Sequence, residues 1–180
     1  MKTYSTKKNH HANRGIGLEE DLEKTNQYYL DNDIAVIYKK PTAVTIKKVT
    51  YPQKKYTRIV DGYFTKSSTT DYNGIYRGRY IDFEAKETKN KNSFPIAMIQ
   101  SHQLQHLQNI HAHGGIAFII IRFTFWDRTF LLDIKTLNYF IANNQRKSIP
   151  LDFFTKETWE IKNNFNPRLD YLKIIKQKYL

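Results

Sequence analysis

Residues 67–88, SSTTDYNGIYRGRYIDFEAKET, gather four carboxylates in a chain that is otherwise strongly basic. From Gly78 to Lys86 the pattern alternates, with Ile81, Phe83 and Ala85 on one side and Asp82, Glu84 and Lys86 on the other, so a β-strand is predicted. Glu84 and Lys86 then lie on one face, about 6.6 Å apart along the strand at roughly 3.3 Å per residue. Asp71 precedes Glu84 by 84 − 71 = 13 residues, and the intervening DYNG reads as a turn, so two hairpin arms can bring both acids together. Two converging carboxylates, with backbone carbonyls and water, form a hard-oxygen site suited to Mg²⁺, with Mn²⁺ as a substitute. A neighbouring lysine orients an attacking water or balances charge building on a phosphate. The ordinary alternative is a solvated strand face with incidental ion pairing, and for an arbitrary strand that alternative wins.

The rest of the chain weakens it. With 180 residues and 40% hydrophobic content, one well-packed domain is expected. Lys and Arg number 29 against 17 acids, a net charge of +12, which favours polyanionic partners: nucleic acid first, an anionic membrane second. Solubility or a coding bias towards lysine explains such a charge equally well on composition alone. The absence of cysteine excludes disulfides and thiolate metal sites and fits a reducing cytoplasm. The longest apolar run, 116–123, is interrupted by Arg122 and far below the roughly 18 residues that span a bilayer, so no membrane association and a cytoplasmic location are expected. The acid-free opening MKTYSTKKNHHANRG lacks the periodicity of a targeting helix, and residues 1–13 read as a flexible basic arm before one domain over 14–180.

Leu18, Leu22, Thr25 and Tyr29 recur at helical spacing and predict a first helix over 17–30. IAVIYKK (34–40) is a predicted strand, and AVTIKKV and YTRIV flank a turn-like TYPQKK. Ser93 and Pro95 mark a helix start, continued by Ile96, Ile99, Gln103, Leu107 and Ile110 until Gly114 and Gly115 stop it. GIAFIIIRF reads as a strand buried on both faces, TFLLDI as another strand, KTLNYFIAN as a short helix, and RLDYLKIIKQKYL as a terminal amphipathic helix whose Leu169, Leu172, Ile175 and Tyr179 serve either the core or a partner. That order describes an α/β fold with a mixed central sheet flanked by helices. His102 and His106 are spaced i, i+4 but lack the glutamate of a zinc-protease helix, and read as polar decoration, with HAH at 111–113 as a polar helix end.

Between Asp33 and Asp61 there is no acid, while Lys39, Lys40, Lys47, Lys48, Lys54, Lys55 and Arg58 supply seven positive charges. On a β-hairpin over about 47–60 this makes a charged finger that attracts phosphates without reading sequence. A solvated hairpin is the plainer alternative, less attractive where acids are missing altogether.

Asp71 with Glu84-Ala85-Lys86 resembles the PD-(D/E)XK nuclease signature, with Thr70 in place of the proline. The longer run 67–95, with NRG near the start, AVIYKKPT at 35–42 and PRLDYLKII near the end, resembles the RecU family of Holliday junction resolvases, in the same order over nearly the whole chain. The resemblance implies a restriction-endonuclease-like core, metal-binding carboxylates at Asp71 and Glu84, a catalytic lysine at Lys86, and Thr69 close to the site. It also implies a homodimer acting on four-way junction DNA in recombination and repair, leaving 5′-phosphate ends, with the basic hairpin as a stalk entering the junction; a recombinase is a candidate further partner. Such cores often take another acid from the first helix. At about 100° per residue, the apolar stripe leaves Glu19 and Asp21 on its borders and Glu20 opposite, and Ile16 and Leu30 extend the apolar surface towards Glu19, which makes Glu19 the candidate third metal ligand. An acid favouring a helix N-terminus explains it as well. Gln103, on the core-facing stripe of the helix after the lysine strand, is a supporting candidate. Another nuclease on the same core, or a noncatalytic DNA-binding or recombinase-modulating protein, remain the rival readings.

Overall fold

The computed structural model describes residues 17–41, 44–53, 56–64 and 69–180. The basic arm, Lys54 and Lys55 lie outside the described residues. Helix α1 (Leu18–Asp31) leads into β1 (Val36–Lys39), the paired strands β2 (Val44–Gln53) and β3 (Tyr56–Phe64), then β4 (Tyr72–Tyr76) and β5 (Arg79–Thr88). A short β6 (Ser93–Pro95) and a single 3₁₀ turn precede α2 (Ser101–Ala112), β7 (Ile116–Phe123) and β8 (Arg128–Asp133). The chain closes with α3 (Ile134–Asn143), β9 (Ser148–Pro150), α4 (Leu151–Glu157), β10 (Trp159–Ile161) and α5 (Tyr171–Tyr179).

Six strands form the central sheet in the order β1-β4-β5-β7-β8-β10. Among the described strands only β5 and β7 pair in parallel, with Glu84 opposite Ile119 and Lys86 opposite Ile121, and α2 is their crossover. All eight residues of β7 are buried, because helices cover both faces of the sheet as the unbroken apolar run predicts. On one face Ile81, Phe83, Phe118 and Ile120 pack against Leu18, Leu22 and Tyr29 of α1 and Tyr171, Leu172 and Ile175 of α5. Phe83 stacks between Tyr72 and Phe118 at centroid distances of 4.8 Å each, contacts worth about 0.5–1.5 kcal/mol per pair beyond their burial. On the other face Ala117, Ile119 and Ile121 meet Leu107 of α2, Leu137 and Phe140 of α3 and Phe154 of α4. The terminal helix therefore serves the core. Asp21, buried on the border of the α1 stripe, bonds Arg122 at 2.7 Å and Arg168 at 3.1 Å, tying α1 to β7 and to the segment before α5.

Three local readings are corrected. Asn73-Gly74 is not a turn: it lies inside β4, where a Cβ on Gly74 would come within 2.1 Å of the Val36 carbonyl oxygen, so glycine permits the close approach of β1. The turn is Arg77-Gly78, whose φ angles of 48° and 73° suit a two-residue hairpin. The helix predicted from Ser93 begins only at Ser101, because Ser93–Pro95 pair with Ser148–Pro150 as a small antiparallel ribbon. Strand β2 continues to Gln53, through much of the stretch read as turn, and the β2–β3 pairing extends from Val44↔Phe64 to Gln53↔Tyr56, beyond 47–60 on both sides.

Candidate active site

Hairpin β4–β5 carries the acids. Asp71 immediately precedes β4, and its Oδ2 accepts from the Ala85 backbone N–H at 3.2 Å, which holds its carboxylate against β5 beside Glu84. Glu84 is wholly buried, although its strand face was read as the one a solvated alternative would expose. Its Oε1 accepts from Lys86 Nζ, one strand repeat along the same face. Its Oε2 is buried without a hydrogen-bond partner, one of three such side-chain atoms among the described residues. Burial, and then the neighbouring Asp71 carboxyl, push the Glu84 carboxyl up to about 7 against the opposing pull of Lys86. A solvated strand face has none of these properties. Two carboxylates converging around an orphaned oxygen fit a hard divalent cation, which would supply the missing partner and offset the like charges. No group of three or more His, Asp or Glu side chains arranged for a metal occurs among the described residues, so beyond these two carboxylates the coordination would come from carbonyl, water or phosphate oxygens or from a side chain that moves in.

The other sequence candidates are distributed as follows. Glu19 sits on the solvent side of α1, 61% exposed, where Lys39 Nζ bonds its Oε2 at 2.7 Å and Glu23 at 2.9 Å; its main-chain carbonyl lies 3.5 Å from the Tyr72 hydroxyl. The two acceptors hold the Lys39 ammonium above its ordinary range. Glu20 is exposed and paired with Lys24. Thr69 is half-buried and engaged, directly before the buried Thr70. Gln103 is buried in the first turn of α2, its Oε1 accepting from the Gln100 backbone N–H at 3.1 Å. Lys40 turns inward to Asp82, and Lys47 lies 5.1 Å from the Tyr63 ring centroid on the hairpin. Lys48 pairs in register with Asp61 and Arg58 with Thr50.

The reading of His102 and His106 as polar decoration of the helix is corrected. His106 Nε2 stands 3.1 Å from the buried Asp82 carboxylate, and His102 Nε2 is buried without a partner. Asp82, which alternation places on the face of Glu84 without a role, is wholly buried, held by Lys40, Thr70 and His106, which are remote in sequence.

A Glu84 carboxyl raised from 4.5 to about 7 makes the protonated form the one that favours folding. That contribution, on the order of 3 kcal/mol, is fully present below about pH 4.5 and is lost as pH rises through about 7. Metal-free wild type should therefore lose thermal stability relative to Glu84→Gln between pH 5 and 8. Parallel melting curves across that range would remove the strained carboxylate from the site.

A mixed central sheet flanked by helices, with Asp71 at the entry to β4 and Glu84 and Lys86 on β5, is consistent with a nuclease core. The model of recombination protein U matches residues 13–177. Curated relatives include the Holliday junction resolvase RecU of Geobacillus sp. (strain WCH70), 46% identical over 99% of this chain and 94% of its own length. The protein of the same name from Geobacillus kaustophilus (strain HTA426) is 46% identical over 94% and 86%, and that of Bacillus thuringiensis (strain Al Hakam) 45% over 96% and 88%. The chain belongs to the recombination protein U (RecU) family.

Proposed function

We propose that this chain is a Mg²⁺-dependent, structure-selective endonuclease that resolves four-way DNA junctions by paired nicking during recombination and repair. The observation that carries the reading is the convergence of Asp71, Glu84 and Lys86, with a buried Glu84 oxygen left unpartnered, in a member of this family. In this reading Asp71 and Glu84 hold the cation and Lys86 orients the attacking water and balances charge on the scissile phosphate. A divalent cation bound there lowers the pKa of a water and polarises the phosphoryl oxygen. In-line attack leaves a 5′-phosphate and a ligatable nick. A homodimer supplies two symmetry-related sites for the two strands of a junction. The stretch 14–180 acts as one nuclease domain, and β2–β3 is its stalk. Among the described residues no helix is long and apolar enough to cross a membrane.

The test is an immobile four-way junction and a linear duplex of the same sequence, each incubated with purified protein in Mg²⁺ or EDTA. Symmetric nicks in the junction, dependent on Mg²⁺, are expected. Binding without cleavage under every condition would return the chain to the DNA-binding or recombinase-modulating class.

Glu19 enters as a third ligand, which requires Lys39 to give it up when the cation and DNA arrive. Glu19→Ala should then lower junction cleavage at least tenfold while Glu20→Ala stays within about twofold of wild type, both folded by circular dichroism. Equal activities would leave Glu19 as a partner of Lys39 and nothing more.

A further inference from the structure

Four side chains converge on Asp82, which is wholly buried two residues before Glu84. Lys40 Nζ and the Tyr80 hydroxyl each donate to its Oδ2 at 2.9 Å, His106 Nε2 lies 3.1 Å from the same oxygen, and the Thr70 hydroxyl donates to Oδ1. Lys40 Nζ also donates to Thr70 Oγ1 at 2.9 Å, and the Lys40 backbone N–H donates to the Asp71 carbonyl at 2.7 Å.

The chain positions of these partners give the cluster its meaning. The hairpin β2–β3 is inserted between β1, which ends at Lys39, and β4, which starts at Tyr72. Lys40 and Thr70 are therefore the two roots of the finger, and Asp82 holds both against the strand that bears Glu84 and Lys86. Asp71 follows Thr70 directly. A displacement at either root reaches Asp71 through one covalent step from Thr70 or one hydrogen bond from Lys40. His106 fixes the same carboxylate from α2, so Asp82 is anchored to the body of the fold as well as to the finger. A buried carboxylate deprived of such partners is costly, which keeps the roots docked in one arrangement.

We propose that Asp82 is a positioning residue that couples the finger to the catalytic pair, so that a four-way junction seated on the finger holds Asp71 more firmly in its place beside Glu84 than a linear duplex does. This rests on Asp71 and Glu84 being the cation's ligands. Coupling of this kind is reciprocal: if the junction improves the metal site, the metal improves junction binding by the same factor.

Mn²⁺ titrations, with free Mn²⁺ read by electron paramagnetic resonance, test it in a Lys86→Met parent that leaves DNA intact. The parent should bind Mn²⁺ at least fivefold more tightly with a four-way junction than with a duplex of equal length. Adding Asp82→Asn should reduce that factor below twofold, while Mn²⁺ affinity without DNA and junction affinity in EDTA each stay within threefold. A residue that is merely structural would alter all of these together, or none. Should Asp82→Asn not fold, Thr70→Val removes one root's tie and should at least halve the factor. An unchanged factor in the folded variant, or no junction effect in the parent, overturns the coupling. A parent that binds no Mn²⁺ even with junction present would sink the metal-pair reading itself, and the coupling with it.

Discussion

Asp71→Asn and Glu84→Gln should each reduce junction cleavage by about a thousandfold or more, while binding to the same junction in EDTA stays near wild type. The size follows from removing one of two carboxylates that support several kcal/mol of transition-state stabilisation. Binding should be spared because the proposed phosphate contacts come from cations elsewhere, above all on β2–β3. The two variants differ in a useful way. Glu84→Gln replaces a carboxyl that burial and Asp71 hold up to about 7, so it should fold at least as stably as wild type in metal-free neutral buffer. Asp71→Asn keeps an acceptor for the Ala85 backbone N–H and relieves the same repulsion from the other side. Loss of activity in a protein that melts no lower than wild type cannot be blamed on the fold. Cleavage near the wild-type rate by either variant would strike that residue from the site.

Replacing Val49 to Arg58 with a short Gly-Ser turn should erase the preference for a four-way junction over duplex and cut junction cleavage sharply, with the catalytic strands undisturbed. The pairs Val44↔Phe64, Thr45↔Tyr63, Ile46↔Gly62 and Lys48↔Asp61 survive that truncation, so the finger is shortened above its roots and the Asp82 cluster keeps its partners. Mn²⁺ binding without DNA should remain at the wild-type level. Neutralising Lys47, Lys48, Lys54 and Lys55 together is the gentler version, and should flatten the salt dependence of junction binding by up to about 0.9 log unit per lost phosphate contact. If the truncated protein still prefers the junction by the wild-type ratio at fixed salt, branch recognition belongs to the body of the protein and the hairpin is only a basic surface.

The strand that carries Glu84 and Lys86 was legible because alternation is a local property, and so was the doubly buried β7, whose unbroken apolar run needs helices on both faces. What failed was set by distant partners. Asn73-Gly74 has the composition of a tight turn, but the glycine is there for the approach of β1, which no neighbouring residue announces. Strands β6, β9 and β10 are three residues each, too short for any period to show. Alternation placed Asp82 on the face of Glu84, yet its burial depends on Lys40, Thr70 and His106, and without it His106 looked like surface. The acids of α1 show the same limit: helical phase put Asp21 and Glu19 on equivalent borders, and it took Arg122 and Arg168 to draw Asp21 inside while Lys39 kept Glu19 at the rim.

Strands β1 and β4 are antiparallel neighbours in the sheet whether or not anything is inserted between them, with Lys39 directly opposite Tyr72 at the point where the finger departs. Chain length added or removed above that point alters neither the register of the sheet nor either apolar core, and loop closure costs rise only slowly with length. The finger is thus a graftable part. Hairpins of other lengths or charge patterns, spliced between Pro41 and Thr69, offer a way to retarget the same cutting machinery to three-way branches, flaps or other DNA shapes without redesigning its interior.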